Sequence, residues 1–127
     1  MMSDYRVMLI DDEEEYAGTL AERLELRGIS TRVVLDGQEG LTAIDEDPPD
    51  IVLLDVMMPG FSGLETLRQI KKAHPRVEVI LLTGRGSTRE GIEGMRLGAF
   101  DYLMKPVQIE ELIERFQAAL APRPIKG

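Results

Sequence analysis

Asp47-Pro48-Pro49-Asp50-Ile51-Val52-Leu53-Leu54-Asp55 decides the fold. The two prolines break whatever precedes them, and the four apolar residues that follow form a run too short for a helix and too apolar for a half-exposed strand. Such a run reads as a buried strand, and it ends in an acid. Glu78-Val79-Ile80-Leu81-Leu82 repeats the pattern and leads into Thr83. Strands apolar on both faces need cover on both faces, which is the arrangement of a parallel sheet between two helical layers.

Working outward, Arg6-Val7-Met8-Leu9-Ile10 is another strand, followed by a helix over residues 13–27 with Tyr16, Leu20 and Leu24 at four-residue spacing and Gly28 at its end. Ser30 to Leu35 is β-branched and strand-like, and residues 37–46 are helical. Past Asp55, a helix from about Gly63 to His74 turns Leu64, Leu67 and Ile70 inward. Thr88 to Leu97 predicts a helix weakened by Gly91 and Gly94, each costing about 1 kcal/mol relative to alanine. Phe100 to Met104 reads as the fifth strand. Gln108 to Leu120 is a helix with an apolar stripe of Ile109, Leu112, Ile113, Phe116 and Leu120. Five alternating strands and helices predict a doubly wound parallel α/β/α domain over residues 1–121 and a linker or tail over 122–127.

Composition limits the function. The 127 residues carry a net charge of −8 with 43% hydrophobic and 30% charged residues, which suits one domain. The scattered Lys and Arg argue against nucleic-acid binding by this domain. No apolar run approaches the roughly 20 residues of a membrane span, and the N-terminus does not read as a signal peptide, so a cytoplasmic protein is expected. With no cysteine and one histidine, the usual zinc sets are excluded. His74 reads as an exposed helix-end residue.

Open parallel sheets place ligands at the carboxyl ends of their strands. There this sequence puts Asp11 and Asp12, Asp55, Thr83 and Lys105. Asp11 or Asp12 alone can be a helix cap, Asp55 alone a turn former and Lys105 alone a surface residue. Together they form a cluster in which two charges 4 Å apart repel by about 4 kcal/mol at an effective dielectric near 20. A dication such as Mg²⁺, held by one or two carboxylates with a position left open, relieves that cost. A carboxylate beside it can take a phosphoryl group, with Lys105 as the second cation.

The chain resembles bacterial response-regulator receiver domains over essentially residues 5 to 120. The resemblance rests on Ile10-Asp11-Asp12-Glu13, Leu54-Asp55-Val56-Met57-Met58-Pro59-Gly60 with Gly63, Leu82-Thr83-Gly84, and Gly98-Ala99-Phe100-Asp101-Tyr102-Leu103-Met104-Lys105-Pro106. It implies a switch, rather than an enzyme, in which a sensor histidine kinase donates a phosphoryl group to Asp55. It further implies a five-stranded sheet of order 2-1-3-4-5, Mg²⁺ on Asp12, Asp55 and the Met57 carbonyl with Asp11 helping through water, Lys105 on the phosphate across a cis bond to Pro106, and a swing of Thr83 followed by inward rotation of Tyr102. A near-complete flip between two such states takes about 5.5 kcal/mol of differential interaction.

Partners implied by the resemblance are the kinase, on the face of Glu14, Glu15, Gly18 and Glu22 and the loop after Lys105, and a downstream effector domain or protein. A phosphorylation-dependent homodimer through the segment from Thr88 onward is also implied, with Arg89, Arg96, Asp101 and Arg115 available for ion pairs. Gly84 stands where alanine is commoner, and Arg85 and Met57 are expected to slow loss of the phosphoryl group, since Met57 cannot orient water. A phosphohydrolase with the same nucleophile would need an Asp at position 57. A flavin module would need a hydroxyl-rich first loop, and a degenerate receiver that only binds partners would usually lack one of the key residues.

Overall fold

The computed structural model describes residues 4–57, 62–84 and 88–121. Within them the chain alternates β1 (Arg6–Ile10), α1 (Glu14–Glu25), β2 (Ser30–Val34), α2 (Gly37–Glu46), β3 (Ile51–Asp55), α3 (Gly63–Ala73), β4 (Glu78–Thr83), α4 (Thr88–Arg96), β5 (Asp101–Met104) and α5 (Ile109–Leu120). The five strands are parallel in the order β2-β1-β3-β4-β5, the doubly wound arrangement expected from the sequence.

Apolarity sorts the strands. Every residue of β3 and β4 is buried, as their sequences require at the centre of a covered sheet. The edge strand β2 buries only Val34 fully. Successive side chains divide between two cores. Met8, Ile10, Val52, Leu54, Val79 and Leu81 pack with Ile44, Leu67 and Ile70 from α2 and α3. Val7, Leu9, Ile51, Leu53, Ile80 and Leu82 pack with Leu20, Leu24, Leu112 and Phe116 from α1 and α5. The result is a three-layer α/β/α sandwich.

Local chemistry sets the boundaries. Asp36 and Ser62 cap α2 and α3 by accepting the backbone N–H groups of Glu39 and Glu65. The first helix is shorter than expected at both ends: it starts at Glu14, after the Asp11 side chain takes the N–H of Glu13 at 2.9 Å, and closes at Glu25, beyond which Arg27 and Gly28 donate to carbonyls only three residues back. In α5, Ala119 turns inward and Leu120 is 36% exposed, so the apolar stripe ends one residue before its expected position. His74 does end α3, but it is not simply exposed: its Nε2 lies 2.7 Å from Asp45 Oδ1 on α2, and its side chain is mostly covered.

The loop carrying Pro48 and Pro49 is anchored to the start of the sheet. Arg6 meets both carboxylate oxygens of Asp47, at 2.7 and 3.1 Å, and donates to the Pro48 carbonyl at 2.8 Å. Its backbone N–H donates to Asp50 Oδ2 at 2.8 Å. This bidentate clamp fixes where β3 enters the sheet.

Candidate functional site

The carboxyl ends of β1, β3, β4 and β5 meet at one rim. Register aligns Ile10 with Leu54 and Asp55 with Leu82, so Asp11 follows β1 just where Asp55 closes β3. Oxygens from Asp11, Asp12 and Asp55 all lie within 4.8 Å of one another. Asp11 is completely buried and Asp55 nearly so, whereas Asp12 is exposed.

The cluster is held open by backbone and by one lysine. Asp55 Oδ1 accepts the N–H of Met57 at 3.0 Å, leaving Oδ2 turned to the Lys105 ammonium at 3.3 Å. Lys105 Nζ also lies 2.7 Å from Asp11 Oδ2 and 2.8 Å from Glu13 Oε1. The contact to Asp11 is an ion pair off the hydrogen-bond direction, so Asp11 Oδ2 is buried without a hydrogen-bond partner among the described residues. The contacts to Glu13 and Asp55 are hydrogen bonds. The Tyr16 ring flanks the ammonium, with its centroid 4.8 Å from Nζ, and the Tyr16 hydroxyl accepts the N–H of Val107 at 3.3 Å. The Lys105–Pro106 bond is cis.

These contacts shift the charges of the site. Burial pushes the Asp11 carboxyl above its usual range, assisted by the charge of Asp55 and opposed by Lys105 and the Glu13 N–H. For Lys105, burial works against the ammonium, yet contacts with Asp11 and Glu13 and the charge of Asp55 outweigh it and raise its pKa. The lysine is therefore a permanent cation among an excess of carboxylates.

The cluster suits a small oxygen-loving dication. Two oxygens on opposite sides of Mg²⁺ stand about 4.2 Å apart, so the three carboxylates need only small side-chain adjustments, and exposed Asp12 is free to make them. Lys105 is the one cation that the contacts place against Asp11 and Asp55 among the described residues, so the three carboxylates leave negative charge for such an ion to offset.

Two expected site residues are nearby but turned elsewhere. Thr83 is buried at the end of β4, and its hydroxyl donates to the Leu103 carbonyl at 3.4 Å, a long bond. Tyr102, half-buried on β5, packs against the core on the α3–α4 side, its ring lying on Gly91 of α4. Gly91 is thus a contact surface: a Cβ there would come within 2.8 Å of the ring. Met57 is 56% exposed beside Asp55. Met58, Pro59, Gly60 and Arg85 lie outside the described residues. Of the residues expected on the dimerisation segment, Asp101 lies 2.9 Å from Arg115 within the same chain, and Arg96 lies 3.9 Å from Glu93 on its own helix.

Glu13 and Tyr16 were not singled out from the sequence. Tyr16 reads there as one position of an apolar stripe, although a tyrosine in the first turn after an acidic strand end is a usable signal. Glu13 closes the Ile10–Glu13 motif, but its pairing with Lys105 is not legible there, because that partner is 92 residues away.

Comparison with known proteins agrees with this geometry. The sequence profile described as the response regulator receiver domain matches residues 7–117. The transcriptional regulatory protein YkoG of Bacillus subtilis is 44% identical over 119 residues, covering 94% of this chain and 52% of its own length. The transcriptional regulatory protein CpxR of Escherichia coli is 42% identical over 115 residues, covering 91% of this chain and 49% of its own. The chain thus spans about half the length of these relatives. Among solved structures, the receiver domain of NtrX from Brucella abortus superposes with a TM-score of 0.85 at 33% identity, over 90% of this chain and 97% of that one. A response regulator receiver domain from Clostridium thermocellum gives 0.87 at 36% identity, over 91% and 94%. The chain belongs to the response-regulator receiver-domain family, the phosphorylation-dependent switches of two-component signalling.

Proposed function

We propose that residues 1–121 form a receiver unit that takes a phosphoryl group onto Asp55 from a phosphohistidine of a sensor kinase. The observation that carries this reading is the placement of Asp55, nearly buried at the end of β3, with Oδ2 facing Lys105 and Asp11 and Asp12 alongside. A carboxylate oxygen of Asp55 forms the new O–P bond as the P–N bond breaks, and the electron pair leaves with the imidazole nitrogen. The Met57 N–H holds the other oxygen and orients the attacking one.

Asp11, Asp12, Asp55 and the Met57 carbonyl would hold Mg²⁺. When bound it supplies positive charge to offset the carboxylates and the incoming phosphoryl oxygens. Lys105, already against Asp55 Oδ2, would add a second cation. The transfer is self-catalysed, with this chain acting as the acceptor.

The readout proceeds through Thr83 and Tyr102. The Thr83 hydroxyl has only a long bond to Leu103 to surrender, so an acceptor oxygen on phosphorylated Asp55 can draw it away, and the Tyr102 ring follows into the space released. Downstream partners are an effector domain or protein and a second phosphorylated copy. A cytoplasmic setting fits, and no helix among the described residues is long and apolar enough to cross a membrane.

The test is intact mass after incubation with acetyl phosphate and Mg²⁺. One phosphoryl adduct is expected on the native chain, absent in Asp55→Asn and in the presence of EDTA. An adduct that survives Asp55→Asn places the chemistry elsewhere and overturns the assignment.

A further inference from the structure

We infer that Glu13 is a positioning residue, a latch that holds the Lys105 ammonium in the resting protein and releases it when a phosphoryl group arrives on Asp55. The inference rests on the reading given under Proposed function.

Lys105 has three carboxylate neighbours, and they are not equivalent. Asp11 and Asp55 are buried at strand ends, with side chains 0% and 4% exposed, and both belong to the metal-binding cluster. Glu13 belongs to neither the strands nor the cluster, and its side chain is 63% exposed. Yet its bond to Nζ, at 2.8 Å, is shorter than that of Asp55, at 3.3 Å. An ammonium has three donor positions. Its three carboxylate neighbours already surround Nζ, so turning it toward a phosphoryl oxygen on Asp55 loosens one of these contacts, and of the three only exposed Glu13 can swing into solvent without disturbing the core.

Position also favours this role. Glu13 stands where the N-cap of α1 would be, but its side chain makes no capping bond, so it is not committed to the helix. The Tyr16 ring supports the lysine from the first turn of the same helix, and its hydroxyl ties the following loop at Val107. The lysine can therefore pivot between Glu13 and the phosphoryl group while its stem stays in place.

The latch competes with the phosphoryl group for one cation. Removing its charge while keeping its size frees Lys105 for the phosphorylated state, so Glu13→Gln is expected to lengthen the lifetime of the Asp55 adduct about threefold, the range of an exposed ion pair. The unfolding midpoint is expected to move little, because the side chain makes no capping bond and an exposed ion pair contributes little to stability.

The experiment has two arms. In the first, the Lys105 side-chain ¹⁵Nζ resonance of the phosphate-free native chain is compared with that of Glu13→Gln. A changed shift and faster amine-proton exchange support the latch, and an unchanged resonance overturns it. In the second, adduct lifetimes are measured for the native chain, Glu13→Gln, Lys105→Ala and the double variant. Lengthening by Glu13→Gln that disappears in the Lys105→Ala background supports the latch. No lengthening, or equal lengthening in both backgrounds, overturns it. If the native chain takes no adduct at all, the phosphoacceptor reading fails, and the first arm alone decides whether Glu13 holds the lysine.

Discussion

Gly63, the first residue of α3, lies directly on the backbone of Asp55: a Cβ at position 63 would sit 2.6 Å from the Asp55 carbonyl oxygen and equally close to the Cα of Val56. Neither atom belongs to a flexible side chain, so relief requires the backbone that carries the phosphoacceptor to move. Gly63→Ala is expected to cost about 1–3 kcal/mol of stability through overpacking and to slow adduct formation on Asp55. Urea unfolding checks the first effect and the rate of mass gain with acetyl phosphate the second; full-rate uptake would show that α3 yields instead of the site.

Thr83 is buried and donates only a 3.4 Å bond to Leu103. Thr83→Ala is therefore expected to cost little, about 1–2 kcal/mol for the lost methyl and hydroxyl contacts, and to leave phosphoryl uptake intact. What it should abolish is the response of Tyr102, followed by the NMR signals of its ring before and after phosphorylation. A ring that still moves in the variant would show that Thr83 does not drive it.

Among the described residues, Asp11, Asp12, Asp55 and Glu13 set four carboxylates against the ammonium of Lys105. A ligand that binds only the folded protein stabilises it by mass action. Mg²⁺ at one hundred times its dissociation constant is expected to add about 2.7 kcal/mol, reversed by EDTA. Asp12→Asn should weaken that gain strongly, and thermal unfolding with and without the cation measures both. Equal gains in the two proteins would remove Asp12 from the cation site.

The Arg6 clamp predicts a pH dependence. A hydrogen bond from Arg6 and its charge hold the Asp47 carboxyl below its ordinary value of 3.8. A depressed carboxylate stabilises the fold above its unfolded pKa and loses that contribution as pH falls through its folded one. Asp47→Asn should therefore lower the unfolding midpoint at neutral pH, and the difference from the native chain should shrink below about pH 4. A difference that persists into acid would mean that Arg6 does not need the charge.

Most of the fold could be read from apolar periodicity, because it reports burial directly. Ile51–Leu54 and Val79–Leu82 show no polar face, and both strands are central. One slip was local, the Asp11 side chain taking the N–H of Glu13 two residues on; the others were decided by contacts distant in sequence. Gly91 was read as a weak helix position, whereas it is the flat seat of the Tyr102 ring on a neighbouring element. His74 looks like an ordinary helix end until Asp45 is found beside it.

The site shows the same division. Asp11, Asp12, Asp55, Thr83 and Lys105 were identifiable because each closes or follows an apolar strand, and strand ends in a parallel sheet converge. Their orientations were not, since Thr83 turning to Leu103 depends on the β4–β5 register. The pairing of Asp101 with Arg115 inside one chain was equally hidden.

The two fully covered central strands have a further consequence for how such a domain changes over generations. Its chemistry is confined to a rim of strand ends, while exposed side chains such as Glu14, Glu15 and Glu22 sit on the outer face of a helix. A duplicated copy can drift at those helix positions without altering a single atom of the rim. On the function proposed above, a mutational library restricted to them would vary the face offered to partners while leaving the rim residues in place.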